Sequence, residues 1–322
     1  MNDHSHGPVP VDRVEILTLV DNYVDVLLPE STFMKRPPLA TDGRIPENTL
    51  LAEHGLSLLV KVHLANESHM VLLDAGYNPG TASRNLGYLG MDLKEVEAVV
   101  LSHGHMDHTG GLHSVLEGLR ENVPVIMHPD GFLPRFMTLP DGNRLTLPRP
   151  FQRDSINAGN INLKESKNPL YLAENTVLVS GEVPRITPFE KGMPSAFIER
   201  DGQIVPDAFS DDQFLVVSLG DRGLVVISGC AHAGIVNSLH FARELTGQSR
   251  ICAVVGGFHL TGPAMAPAIE PTIAEMKNFS PEVIVPMHCT GHKALSRFEE
   301  ELPGAFLLNS VGSNLTLSRS SA

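Results

Sequence analysis

Residues 14–20 read as a β-strand, and residues 56–63 and 70–74 as a hairpin rich in Val and Leu, broken by Ala65-Asn66-Glu67-Ser68. Residues 96–102 form a short apolar run that ends directly in a histidine-rich segment. The period then changes: Leu112, Val115, Leu116 and Leu119 recur at helical spacing, which predicts a helix over 111–119 with one apolar face. Residues 123–128 return to strand. A second hairpin is predicted from 214–219 and 223–228, turned at Gly220-Asp221-Arg222-Gly223. Beyond it the pattern alternates: helix 235–245, strand 251–255, helix 269–279, strand 283–286 and helix 294–301, with 305–309 and 314–318 as closing strands. Hairpins mixed with strand–helix units predict an α+β fold of two packed mixed sheets with helices outside.

Residues 129–212 break this rhythm. They hold many Pro, Gly, Asn and Arg residues and only brief apolar runs, the clearest at 176–180. The segment is predicted as an insertion with little regular structure of its own, within one domain spanning residues 1–322. Long loops of this kind commonly form binding sites or lids; a dimer-forming arm is the other reading, and it leaves a homo-oligomer open. No internal repeat, heptad pattern or low-complexity tract is visible.

Composition narrows the class. Hydrophobic residues make up 42%, enough for a large core, but aromatics are only 5% and there is no Trp, so aliphatic side chains must do the packing. No stretch approaches the roughly 20 apolar residues of a membrane helix. Residues 1–11 are polar and lack the basic start and apolar run of a secretion signal, so a cytoplasmic location is expected. A net charge of −13 argues against nucleic acid or anionic membrane as partner. It does not argue against a small anionic substrate, because bound metal ions reverse the field inside a pocket. Three cysteines are too few for a disulfide framework. The fifteen histidines are more informative, because some of them cluster.

The densest cluster is Leu101-Ser102-His103-Gly104-His105-Met106-Asp107-His108-Thr109-Gly110-Gly111. Residues two apart in an extended segment point the same way, so His103 and His105 can grip one ion. A tight turn just beyond aims Asp107 and His108 at a second. Imidazole and carboxylate together suit zinc first, with manganese or iron(II) as alternatives.

His-x-His-x-Asp-His followed by Gly-Gly resembles the signature of the metallo-β-lactamase superfamily. That resemblance implies an αβ/βα four-layer sandwich with metals at the sheet edges. Ala52-Glu53-His54-Gly55-Leu56-Ser57, Leu72-Leu73-Asp74-Ala75-Gly76, Ser180-Gly181-Glu182-Val183-Pro184-Arg185, Ser228-Gly229-Cys230-Ala231-His232, Gly256-Gly257-Phe258-His259-Leu260 and Met287-His288-Cys289-Thr290-Gly291 narrow it. Together they are similar to the branch of 7,8-dihydropterin-6-methyl-4-(β-D-ribofuranosyl)aminobenzene-5′-phosphate synthases. The likeness runs from about residue 14 to residue 311 and is weakest in the insertion.

The resemblance implies His288 as the last histidine of the second metal site, and Asp74 as a residue that holds the metal loop by hydrogen bonds. It also exposes a departure. No histidine lies between His128 and His232, and Cys230 stands near the position of the superfamily's bridging Asp. His232 is therefore expected to supply the third imidazole of the first site. Cys230 reads either as a thiolate ligand or as a small buried residue. His259 reads as a proton donor, a substrate contact or a structural histidine. Glu53 and His54 are expected to orient ligands, Asp21 and Asn22 to line the pocket, and Arg185 and Lys191 to meet a phosphate or to be ordinary surface. His4 and His6 are expected to be solvated, and His63, His69 and His240 to have no role as ligands; His113 is a candidate neighbour of the metal loop.

The function expected from these residues is that of a dinuclear metal enzyme acting on a small phosphate-bearing anion, with Asp107 and His259 in the chemistry. A general metallo-hydrolase acting on a phosphodiester, lactone or thioester, and a non-catalytic metal sensor, are the competing readings. The full His-x-His-x-Asp-His set speaks against the sensor, and the lack of basic surface speaks against a nuclease.

Overall fold

A computed structural model describes residues 7–153 and 161–320; His4 and His6 lie outside the described residues. The predicted hairpin is β3 (Ser57–Leu64) and β4 (Glu67–Leu73), with β1 (Arg13–Val20) paired to β3, in register Ile16↔Val60↔Val71. Around them an eight-stranded sheet runs in the order β2 (Met34–Lys35), β18 (Asn314–Ser318), β1, β3, β4, β5 (Ala98–Val100), β6 (Pro124–Met127), β9 (Asn162–Glu165). Its antiparallel half turns parallel from β4 onward.

The second sheet has six strands: β10 (Leu170–Leu172), β11 (Val177–Val179), β14 (Phe214–Ser218), β15 (Leu224–Ser228), β16 (Ile251–Gly257) and β17 (Val283–Met287). Here too the last three strands are parallel.

Alternation along the strands builds the layers. In β15, Val225 and Ile227 face the other sheet, where they join Ile16, Val60, Val71 and Val100 in one buried cluster. Leu224 and Val226 point the opposite way, onto helices α4 (Ile235–Thr246), α5 (Ile269–Phe279) and α6 (His292–Glu301). On the far side of the eight-stranded sheet, Leu19, Leu72 and Val99 meet Ala82 and Leu86 of α1 (Thr81–Tyr88) and Leu112 and Val115 of α3 (Leu112–Gly118). The result is helix, sheet, sheet, helix, the four-layer α+β sandwich expected. Each fully buried Leu, Ile or Val contributes about 1.5–3 kcal/mol by leaving water. No helix among the described residues is long and apolar enough to cross a membrane.

Two expectations need correction. Residues 129–212 carry strands: β7 (Arg135–Thr138), β8 (Arg144–Thr146), β12 (Ala196–Arg200) and β13 (Gln203–Pro206) form a separate four-stranded sheet in the order β13-β12-β7-β8. Strands β9, β10 and β11 of the same segment extend the two main sheets. The small sheet escapes pattern reading because it is short and wet: all three residues of β8 are exposed, and β13 buries none of its four. Residues 305–309 form no strand; Phe306 makes an isolated bridge to Ile284.

Candidate metal centre

The parallel strands of both sheets end at one edge of the sandwich, and that edge collects the predicted residues. Strand β5 leads through Leu101 and Ser102 into His103. His105 keeps an extended backbone (φ −73°, ψ 151°) before the single-turn helix α2 (Met106–Thr109), so Asp107 and His108 swing to a different side from His103 and His105. Across the gap, β15 delivers Cys230 and His232, β16 delivers His259, and β17 delivers His288. The loops that leave β4, β15, β16 and β17 each carry a non-glycine residue in the left-handed region: Asp74 (φ 61°), Ala231 (φ 53°), His259 (φ 43°) and His288 (φ 51°). Such conformations cost on the order of 1–3 kcal/mol and persist where the surroundings over-determine them.

Two ligand sets result. Donor atoms of His103, His105 and His232 lie within 4.8 Å of one another, and so do those of Asp107, His108 and His288. In the first set, Nε2 of His103 and Nε2 of His232 are 3.2 Å apart. In the second, Asp107 Oδ2 is 3.3 Å from His288 Nε2 and 3.8 Å from His108 Nε2. Cys230 joins the two sets: its Sγ is 3.1 Å from His108 Nε2, and it shares a group with His103 and His108.

The donors suit a divalent cation. Burial, with the neighbouring histidines adding to it, drives His103 and His232 well below the ordinary imidazole value. Burial and the nearby Arg135 guanidinium take His105 down to about 3. All three are thus neutral, the form that binds metal. Burial pushes the Asp107 carboxyl up, but His108 and His288 outweigh it and hold it well below the ordinary range. Nε2 of His288 is buried and faces the Asp107 carboxylate at 3.3 Å, with no other partner.

Outer partners fix the ligands. Asp74 accepts from the Ser102 amide and hydroxyl, both at 2.7 Å, and pairs with His108 Nδ1. Asn22 Oδ1 sits 3.1 Å from His288 Nδ1, and Asp21 accepts the His288 amide at 3.0 Å. Glu53 accepts from the Tyr77 and Asn78 amides and from Thr81, holding the loop after β4. The exposed His54 reaches Asp107 Oδ2 at 3.4 Å.

His259 stands beside the cluster, its ring 4.2 Å from that of His232. Arg185 lies close by with its guanidinium directed at the backbone carbonyls of Glu190, Ala208 and Ala233, and Lys191 is exposed. His113 faces solvent beside Glu117.

Sequence reasoning missed Arg135, Asp211, Asp212, Phe209 and Cys289. Asp211 accepts the Gly104 amide and Asp212 the Ala233 amide, both at 2.8 Å, so two adjacent carboxylates hold the two loops of the first ligand set. Phe209 stacks on His232 at 4.3 Å. Asp211-Asp212 directly before an apolar strand was the one visible signal.

The model of the metallo-beta-lactamase superfamily matches residues 52–242. The 7,8-dihydropterin-6-methyl-4-(beta-D-ribofuranosyl)-aminobenzene-5'-phosphate synthase of Methanocaldococcus jannaschii is 28% identical over 300 residues, covering 92% of this chain and 94% of that protein. An uncharacterized protein of the same organism is 33% identical over 250 residues, covering 77% and 88%. Among solved structures, a metal-dependent hydrolase of the beta-lactamase superfamily superposes with a TM-score of 0.69 at 27% identity, covering 96% of this chain and all of that one.

Proposed function

Because the chain belongs to the metallo-β-lactamase superfamily, we propose that it is a dinuclear metal-dependent enzyme acting on a small anionic, phosphate-bearing substrate. The observation that carries this reading is the convergence of two three-residue ligand sets at one sheet edge, with Cys230 between them. His103, His105 and His232 would hold one cation, and Asp107, His108 and His288 the other. Zinc is the first choice for such donors, with manganese and iron(II) as alternatives. Divalent ions held this way would acidify water to a pKa near ~7 and offset negative charge developing on a phosphoryl or carbonyl oxygen.

The chain's own part is to hold the imidazoles of the first set neutral and all the ligands rigid. Ser102 and Asp74 lock the loop of the first histidines, and Asn22 fixes the late one. His54 stands at the exposed side of Asp107, where it can meet an incoming group. The first ligand set is all imidazole, so cations bound there would keep much of their positive charge inside an acidic protein, which favours an anionic substrate. The phosphate in the name of the Methanocaldococcus relative supports the same substrate class.

Transfer and hydrolysis remain two outcomes of one test, the second favoured by the likeness to a metal-dependent hydrolase. The untreated protein is assayed for metal and then, with zinc or manganese, on aryl phosphodiesters, phosphate esters and lactones. Two metals in the histidine sets and turnover confined to phosphate-bearing compounds are expected. His103→Ala and Asp107→Ala should each lose metal and activity, and His232→Ala should empty the first set. Both histidine-set metals retained by His103→Ala or Asp107→Ala would defeat the assignment.

A further inference from the structure

Cys289 has no part in either histidine set, yet it lies against both. It follows His288 directly, is buried, and brings its Sγ within 3.6 Å of the Cys230 carbonyl oxygen. Ligand atoms of Cys230, His259 and Cys289 all lie within 4.8 Å of one another. The three come from the ends of three neighbouring parallel strands, β15, β16 and β17, so the sheet itself sets their spacing.

Room for the sulfur is built in. A Cβ on Gly257, at the end of β16, would stand 2.6 Å from Cys289 Sγ and 3.3 Å from the Cys230 Cα. Only a residue without a side chain lets the thiol lie there. His259 turns into the cluster from a left-handed backbone (φ 43°), and its Nδ1 is buried without a hydrogen-bond partner. Its other nitrogen faces the thioether of Met193 at 3.0 Å, a weak acceptor. An imidazole held in a strained conformation, with one buried nitrogen offered only to the Cys289 thiol, is poorly explained as packing.

We propose that Cys230, Cys289 and His259 form a third, sulfur-rich metal site alongside the two histidine sets, taking a borderline or soft divalent cation such as zinc, cobalt or cadmium. Two sulfurs and one imidazole make a three-ligand set that leaves a fourth tetrahedral position open. Thiolate donors distinguish it from the nitrogen–oxygen sets and favour softer cations. Cys230, 3.1 Å from His108 Nε2, is the shared edge through which this site touches the other two. His259 is then a ligand rather than the proton donor, substrate contact or structural histidine that the sequence left open. The inference does not depend on which reaction the neighbouring centre catalyses.

Cobalt(II) titration of the metal-free protein under reducing, anaerobic conditions tests it. The wild-type chain should bind one equivalent beyond the histidine sets, with an intense near-ultraviolet sulfur-to-cobalt band. Cys289→Ser and His259→Ala should each lose that equivalent, and with it the sulfur-to-cobalt band that the site carries. Cys252→Ser, which removes a buried thiol elsewhere in β16, should bind like wild type, so a general loss of packing is separated from a loss of ligand. His103→Ala should lose cobalt from the histidine sets and keep the Cys289-dependent band, so this proposal and the functional reading fail on different variants. X-ray absorption on the unmutated, fully zinc-loaded protein should show a sulfur shell at about 2.3 Å. Equal cobalt stoichiometry and an equal band in Cys289→Ser and wild type, or no sulfur shell in the zinc protein, would overturn the proposal.

Discussion

Asp74 Oδ2 lies 2.6 Å from Nδ1 of His108, and both side chains are fully buried. A ligand histidine whose second nitrogen meets a carboxylate is fixed in ring orientation and made more basic. The same carboxylate accepts from Ser102, so one residue ties the loop before the ligands to a ligand within it. Asp74→Asn preserves shape but weakens the charge partner. The cation of the Asp107, His108 and His288 set should then bind about 10–100-fold more weakly, with the far-ultraviolet spectrum unchanged. Competition titration against a chelating dye measures this; an unaltered affinity would show that Asp74 only fills space.

The same pair sets a pH dependence. Burial works against a charged His108, yet Asp74 and Asp107 carry it up to about 9 from an ordinary 6.5. The metal-free fold therefore holds this proton more tightly than the unfolded chain does. The resulting stabilisation is complete below about pH 6.5 and is lost as pH rises through about 9. A cation needs the imidazole neutral. Across this window the metal-free protein should lose thermal stability while apparent metal affinity rises by about tenfold per pH unit. Calorimetry at pH 7.5 in two buffers of different ionisation heat should count close to one proton released from His108. A heat of binding that is the same in both buffers would refute the coupling.

The convergence of the segment from His103 to His108 was legible because ligand-type residues crowd into a few positions after an apolar run, and strand geometry dictates which of them face together. His232 and His288 were legible only through the family resemblance, which implies ligands just past those predicted strands. Asp211, Asp212 and Arg135 were not, because a carboxylate that accepts one distant amide leaves no periodic trace. The small sheet was hidden for a related reason: β8 and β13 present exposed faces, so their register comes from pairing and not from an apolar pattern. Helix α1 is short and polar, with Thr81 and Asn85 among its buried residues, and no apolar stripe announces it.

Gly104 separates the two histidines of the first ligand set for a steric reason that sequence could not reveal. A Cβ there would lie 2.0 Å from the Gly131 carbonyl oxygen and 2.7 Å from an Arg135 guanidinium nitrogen. The Gly104 amide is also held by Asp211. Gly104→Ala should push the loop off the 129–132 turn at an overpacking cost of about 1–3 kcal/mol. His103 and His105 would move with it, and affinity at their set should fall on the order of 100-fold. Metal content after dialysis, read beside a urea melt, separates the two effects. Wild-type metal retention would mean that the loop has slack the geometry does not show.

Arg135 is the charged counterpart of this arrangement, and it ties the small sheet to the candidate metal centre. Its side chain is buried, with Nε 2.8 Å from Asp207 and Nη2 2.6 Å from Asp211, the residue that holds Gly104. Removing the guanidinium strands two buried carboxylates, which costs about 3–5 kcal/mol. Arg135→Met should be destabilised by that order at pH 8. The deficit should shrink on acidification, because unpaired buried carboxyls have raised folded pKa values. Their protonated form suits the fold, so stability is recovered as pH falls and lost as it rises. Adding Asp207→Asn to Arg135→Met should return part of the loss at pH 8 by removing one stranded charge. Urea unfolding at pH 5 and pH 8 reads all three effects. A deficit in Arg135→Met that is equal at both pH values would show that the guanidinium contributes packing alone.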